Sequence, residues 1–112
     1  MEQKSFTYQQ KINAWEKGFI VDGLDPREYR KDIAGAWMSW NEYGNTNSET
    51  GLGWEIDHRK PEAKGGTDDP SNLRAMQWKN NRSKSDNYPV WESSVTSEGA
   101  RNILKCQRWR ES

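Results

Sequence analysis

The sequence predicts a small α+β domain with an N-terminal helix and a C-terminal β-hairpin, and three patterns in its 112 residues carry that expectation. Apolar side chains recur at helical spacing near the N-terminus, apolar/polar alternation flanks a Gly/Pro-rich loop in the middle, and alternation returns in the tail. This length makes one domain over residues 1–112 the expected organisation. Only 31% of residues are hydrophobic and 30% are charged, so an aliphatic core must be thin. Seven tryptophans, four tyrosines and two phenylalanines compensate, because one aromatic ring buries about 150–250 Å².

The elements follow in chain order. Tyr8, Ile12 and Trp15 fall on one helical face, with Thr7 as a cap and Gly18 as a stop. Asp25-Pro26 marks a turn or helix start, and a second short helical turn is expected through Arg27 to Asp32. Trp37, Met38, Trp40 and Tyr43 suit either an aromatic-rich strand or an irregular packed segment, and periodicity does not choose between them. Gly44 to Gly51 is rich in Asn, Ser, Thr and Gly and predicts a loop. Trp54 to Asp57 alternates as a strand does, and Pro61 with the run Gly65 to Pro70 requires a long loop after it. Asn72 to Met76 then predicts an antiparallel partner strand, and Trp78 to Lys84 a polar helix ending near Ser85. In the tail Trp91, Ser93 and Val95 alternate before a Ser97-Glu98-Gly99 turn, which favours a hairpin over a helix.

Composition excludes several classes of function. The single Cys106 cannot form an intramolecular disulfide or a four-cysteine zinc site. No apolar run approaches the roughly 20 residues needed to span a bilayer, and the polar N-terminus lacks a secretory core, so a cytoplasmic protein is expected. The 17 basic and 17 acidic residues cancel. Their distribution does not: residues 1–57 hold 6 Lys/Arg against 10 Asp/Glu, and residues 58–112 hold 11 against 7. A basic half is what a phosphate backbone attracts, although solvated charge alone accounts for it equally well.

Chemistry concentrates at Asp57-His58, where the chain's only histidine follows a carboxylate. Histidine is the side chain whose unperturbed pKa of about 6.5 permits proton transfer near neutrality. Asp57, His58 and Asn81 suit one-metal phosphodiester hydrolysis if the strand-loop-strand-helix unit folds Asn81 back toward the first strand. Carboxylate and amide oxygens are hard donors that favour Mg²⁺, with Mn²⁺ as a substitute. Asp68-Asp69 lacks the regular oxygen spacing and closing Glu of a calcium loop, which leaves a turn and cap as its expected role.

The stretch from Trp54 to Asp86, 33 of 112 residues, resembles the HNH (ββα-metal) endonuclease family in its Asp-His…Asn…Asn form, the form of the HNH domain of CRISPR RNA-guided DNA endonucleases and of some phage resolvases. The matching residues are Glu55 to Pro61, Gly65-Gly66, Ser71 to Met76 and Asn80 to Asp86. The resemblance implies a ββα-metal core over residues 54–86, with Asp57 and Asn81 as metal ligands and His58 as the general base. Asn72 would pin the loop and orient the histidine, and Lys84 would stabilise charge near the phosphate. Asn81 is preferred to its neighbour Asn80 because it keeps the family's spacing from Asn72. The expected products are a 5′-phosphate and a 3′-hydroxyl.

Arg59 stands where many relatives have a bulky aliphatic residue, and it either contacts a phosphate or faces solvent. With Lys79 and Arg82 it is expected to position a nucleic-acid backbone without reading sequence. Without the paired cysteines of zinc-knuckle relatives, packing must come from tryptophans such as Trp54 and Trp78. The expected substrate is DNA, with RNA as an alternative, in a bacterial, phage or mobile-element setting. Two further readings compete: a toxin nuclease domain, and a catalytically silent scaffold that binds nucleic acid or protein.

Overall fold

The computed structural model describes residues 5–47 and 49–112. Residues 1–4 and 48 lie outside the described residues, the last of them inside the expected Gly44–Gly51 loop. Helix α1 (Tyr8–Trp15) is closed by a capping box: Thr7 Oγ1 accepts from Gln10 N at 3.1 Å and Gln10 Oε1 accepts from Thr7 N at 2.9 Å. Its buried residues are Ala14 and Trp15, whereas Tyr8 is largely exposed, so the inward stripe is rotated from the expected Tyr8/Ile12/Trp15 face.

The helical turn expected through Arg27 to Asp32 is corrected. One turn forms at Asp25, whose carbonyl accepts from Glu28 N and Tyr29 N, and the chain then extends as β1 (Tyr29–Lys31) against β2 (Trp37–Ser39). Trp40–Glu42 is a short 3-10 turn, so the Trp37 to Tyr43 segment is part strand and part irregular.

β3 (Trp54–His58) pairs antiparallel with β4 (Leu73–Gln77), Asp57 opposite Arg74 and His58 opposite Leu73, and β4 runs directly into α2 (Trp78–Lys84). The hairpin of β5 (Val90–Glu98) and β6 (Arg101–Arg110) packs on α2, with its turn at Gly99-Ala100, slightly later than expected. The described residues form an α+β fold of two α-helices and three separate two-stranded antiparallel sheets.

Aromatic rings fill the centre. Trp54 is fully buried and its ring lies 4.8–5.6 Å from those of Trp15, Trp40 and Tyr43. At about 25 cal/mol per Å², each such ring favours folding by about 4–6 kcal/mol before conformational entropy is subtracted. Trp78, expected to share this role, is only half-buried and is not in that cluster.

A second tie is polar. Fully buried Asp32 accepts from Ala34 N and Ala36 N on Oδ1, and from Gln77 N and Asn80 Nδ2 on Oδ2, all at 2.9–3.0 Å. Burial raises its carboxyl above the ordinary value, against these four donors. Asn80 also donates to Val95 O and accepts from Ser94 N and Val95 N, bracing the irregularity in β5 between Ser93 and Val95.

Candidate active site

Period-two geometry puts Glu55 and Asp57 on one side of β3, and α2 lies against that side. Glu55 accepts from Asn81 Nδ2 at 3.0 Å and from both Nε and an Nη of Arg82, at 3.2 and 2.8 Å. Asp57 accepts from Arg74 Nε at 2.9 Å on Oδ2 and faces the Lys84 ammonium at 3.1 Å on Oδ1. Both carboxylates are buried. Burial raises the Asp57 carboxyl above its ordinary value, opposed by the charges of Arg74 and Lys84. Arg74 continues to Glu111, at 2.6 Å between Nη2 and Oε2, so the ion pairs form a chain from α2 through the sheet to the C-terminal segment.

Lys84 therefore stands elsewhere than expected. Its ammonium has no exposure and donates to the His58 carbonyl at 2.9 Å, so it forms the floor under the histidine rather than a surface for phosphate. Asp57, expected as an open metal ligand, has a cation against each of its oxygens. Asn81 reaches Glu55 through its amide nitrogen while its Oδ1 accepts from none of the described residues. Its neighbour Asn80 is spent on the framework, which separates the two adjacent asparagines by role.

His58 ends β3 on the other side. Its Nε2 lies 2.7 Å from Asp68 Oδ1 and its ring lies 6.0 Å from that of Phe6. A carboxylate only accepts, so Nε2 carries a proton, and in the neutral ring Nδ1 carries the lone pair. Asn72 fixes the loop that brings Asp68 there: Oδ1 accepts from Lys60 N at 2.9 Å, and Nδ2 donates to Lys60 O and Thr67 O at 3.0 and 2.8 Å. A Cβ on Gly66 would overlap the Lys60 carbonyl, so the tight closure requires glycine. His58, Glu62 and Asp68 form a group whose donor atoms all lie within 4.8 Å of one another.

Of the remaining expected contacts, Arg82 is clamped to Glu55, Lys79 lies 5.6 Å over the Trp78 ring, and Arg59 leans toward Glu111 at 3.5 Å. Asp69 caps the Pro70–Asn72 turn, as expected for the acidic pair, but Asp68 turns to the histidine instead. Sequence reasoning missed Asp68, Glu55, Glu62, Arg74 and Glu111. Period two could have paired Glu55 with Asp57, whereas Arg74 is found only once the strand register is known.

No helix among the described residues is long and apolar enough to cross a membrane. No curated protein and no solved structure is similar enough to this chain to count as a match. The HNH endonuclease family model matches residues 44–87, from the loop before β3 through β4 and α2 to just beyond that helix. With an imidazole at the end of the first strand and an asparagine-pinned loop behind it, this segment of the chain is similar to the HNH endonuclease family.

Proposed function

We propose that the chain is a divalent-metal-dependent endonuclease that hydrolyses phosphodiester bonds in DNA, with His58 as general base. The observation that carries this reading is the chain's one imidazole, held by Asp68 at Nε2 and leaving Nδ1 uncommitted among the described residues. His58 Nδ1 takes the proton of the attacking water, a role typically worth about 10² to 10⁴ in rate. Asn72 keeps the loop closed, and Lys84 holds the His58 carbonyl, so the ring is carried by a rigid frame. Arg59, Lys79 and Arg82 are the proposed contacts to the phosphate backbone, Arg82 by giving up Glu55.

The ion, when bound, supplies Lewis-acid stabilisation of the phosphate oxygens. Mg²⁺ suits oxygen donors, and the family pattern points to Asp57 and Asn81 as its ligands. In the arrangement seen they do not fit it, because Arg74 and Lys84 bring positive charge to both oxygens of Asp57. The proton transfer at His58 is derived without the ion.

Incubation of supercoiled plasmid with the protein and Mg²⁺ or Mn²⁺, alongside EDTA and a His58→Ala variant, tests the proposal. Metal-dependent nicking by the wild type that the variant loses is expected; no nicking, or equal nicking by the variant, overturns it. One observation favours a second reading, in which His58 is itself a ligand: its convergence with Glu62 and Asp68. Glu62 has no part in the first reading, so Mn²⁺ binding measured calorimetrically on Glu62→Gln separates them. Lost affinity supports the ligand set, and unchanged affinity supports the base.

A further inference from the structure

Lined in part by Arg59, the residue after the histidine, but built mostly from segments outside residues 44–87, is a pocket of about 460 Å³. That size lies within the range of about 300–1,000 Å³ in which small-molecule sites occur. Its cations are Lys17, Arg59, Arg74 and Arg110. Arg74 is neutralised by Asp57 and Glu111, and Arg59 reaches Glu111 only at 3.5 Å. Lys17 donates to two carbonyls, Pro70 O and Leu73 O, and neither it nor Arg110 has a carboxylate within ion-pair distance among the described residues. Positive charge is therefore in excess. Burial first, and then the Arg59 and Arg74 charges, hold the Lys17 ammonium below its ordinary value, with Asp69 opposing from outside.

The rest of the lining is apolar and aromatic. Phe19 is 53% exposed at the pocket, and Trp109 stacks on Trp91 with ring centroids 6.0 Å apart. Phe19 and Ile33 leave apolar surface to water that nothing among the described residues covers. An inorganic anion would leave that surface wet, and an apolar ligand would leave the cations unpaired. A ligand that answers both carries a planar ring and a phosphate a few ångströms apart, which is the chemistry of a nucleotide.

We propose that this pocket is a nucleotide subsite, holding one unpaired base against Phe19 and Trp109 and its phosphate against Lys17, Arg59 and Arg110. The inference rests on the nuclease reading for its source of nucleotides, a strand whose next phosphate lies toward His58 by way of the adjacent Arg59. It gives α1's exit, β6 and the C-terminal segment a function: they select substrate that offers an unstacked base.

The test is binding in EDTA, where cleavage plays no part. Tryptophan fluorescence is titrated with a 5′-deoxynucleoside monophosphate, with inorganic phosphate, with the unphosphorylated nucleoside and with a single-stranded hexanucleotide. The monophosphate should bind at least about ten-fold more tightly than phosphate or nucleoside alone, and the hexanucleotide more tightly still. Phe19→Ala should weaken the monophosphate at least about five-fold, in line with the loss of one base-stacking contact. Arg110→Glu should weaken the three phosphate-bearing ligands and leave the nucleoside unaffected. Both positions are on the surface, and circular dichroism checks that the variants fold. Phosphate binding as well as the monophosphate, or variants binding as the wild type, overturns the subsite. Plasmid nicking with no nucleotide binding sinks the subsite alone, and nucleotide binding with no nicking sinks the catalytic reading alone.

Discussion

On the α2 side of β3, Glu55 and Asp57 are buried carboxylates, and each is met by donors from two other side chains. At the end of the same strand His58 keeps 14% of its side chain exposed and has, among the described residues, a single polar side-chain partner, itself 38% exposed. The same five residues thus supply a closed ionic floor and an open acid-base position. Burial sets the difference: a desolvated carboxylate must be paired, and pairing consumes the oxygens that a metal would use. A group at a strand end can stay half-solvated with one lone pair to spare. Adjacency in sequence, which made Asp57 and His58 look like one unit, becomes separation across a sheet.

The sharpest way to break this comparison is to remove the open partner. His58→Ala should lower plasmid cleavage by about 10² to 10⁴ while circular dichroism and thermal unfolding stay near wild type. A large loss of stability would show that the histidine belongs to the framework. Removing the closed side should do the reverse. Lys84→Met leaves the buried Asp57 with Arg74 as its only cation among the described residues, and unfolding in urea should show a loss of about 3–5 kcal/mol. A loss below about 1 kcal/mol would mean that the floor is not structural.

A smaller effect falls on the orientation of the ring. Asp68→Asn can present an amide N–H to Nε2 and reverse the tautomer, so cleavage should fall about ten-fold or more at unchanged stability. A variant as active as wild type would remove Asp68 from the base reading.

The smallest effect concerns acid. Burial works against the charged form of Glu111, but the hydrogen bonds and charge of Arg74, with Trp91 and Arg59, outweigh it and hold the carboxyl below its ordinary value. A carboxyl lowered in the folded state contributes stability that is present above its unfolded pKa and lost as pH falls through the folded one. Urea midpoints should therefore drop from pH 5 to pH 3 by less in Glu111→Gln than in wild type. Asp57, raised by burial, has the opposite sign, and taking the difference between the two proteins cancels it.

Local signals were legible where the physics is local. Thr7 announces the cap of α1, the alternation at Trp54 marks β3, and the Gly/Pro run marks the loop that Asn72 closes. The helical turn expected through Arg27 to Asp32 gives way to a strand, and Asp32 divides its carboxylate between its own turn and Gln77 and Asn80, more than forty residues on. At the site, the residue types could be named but not their partners. Lys84 looked like a phosphate contact until helix packing enclosed it, and Asp68 looked like a turn former until loop closure swung it onto His58. Both outcomes depend on long-range register, to which a linear pattern is blind.

Asp32 has a consequence for the portability of the segment that matches the HNH family. The donors that converge on its carboxylate belong to the β1–β2 connection and to the junction of β4 with α2, and Asn80 passes the tie on to β5. A fragment cut at residues 44 and 87 would carry Gln77 N and Asn80 away from their acceptor and strip Asn80 of its β5 partners. For grafting or fusion, the smallest transferable piece is thus the family segment together with the collar of chain on either side of it.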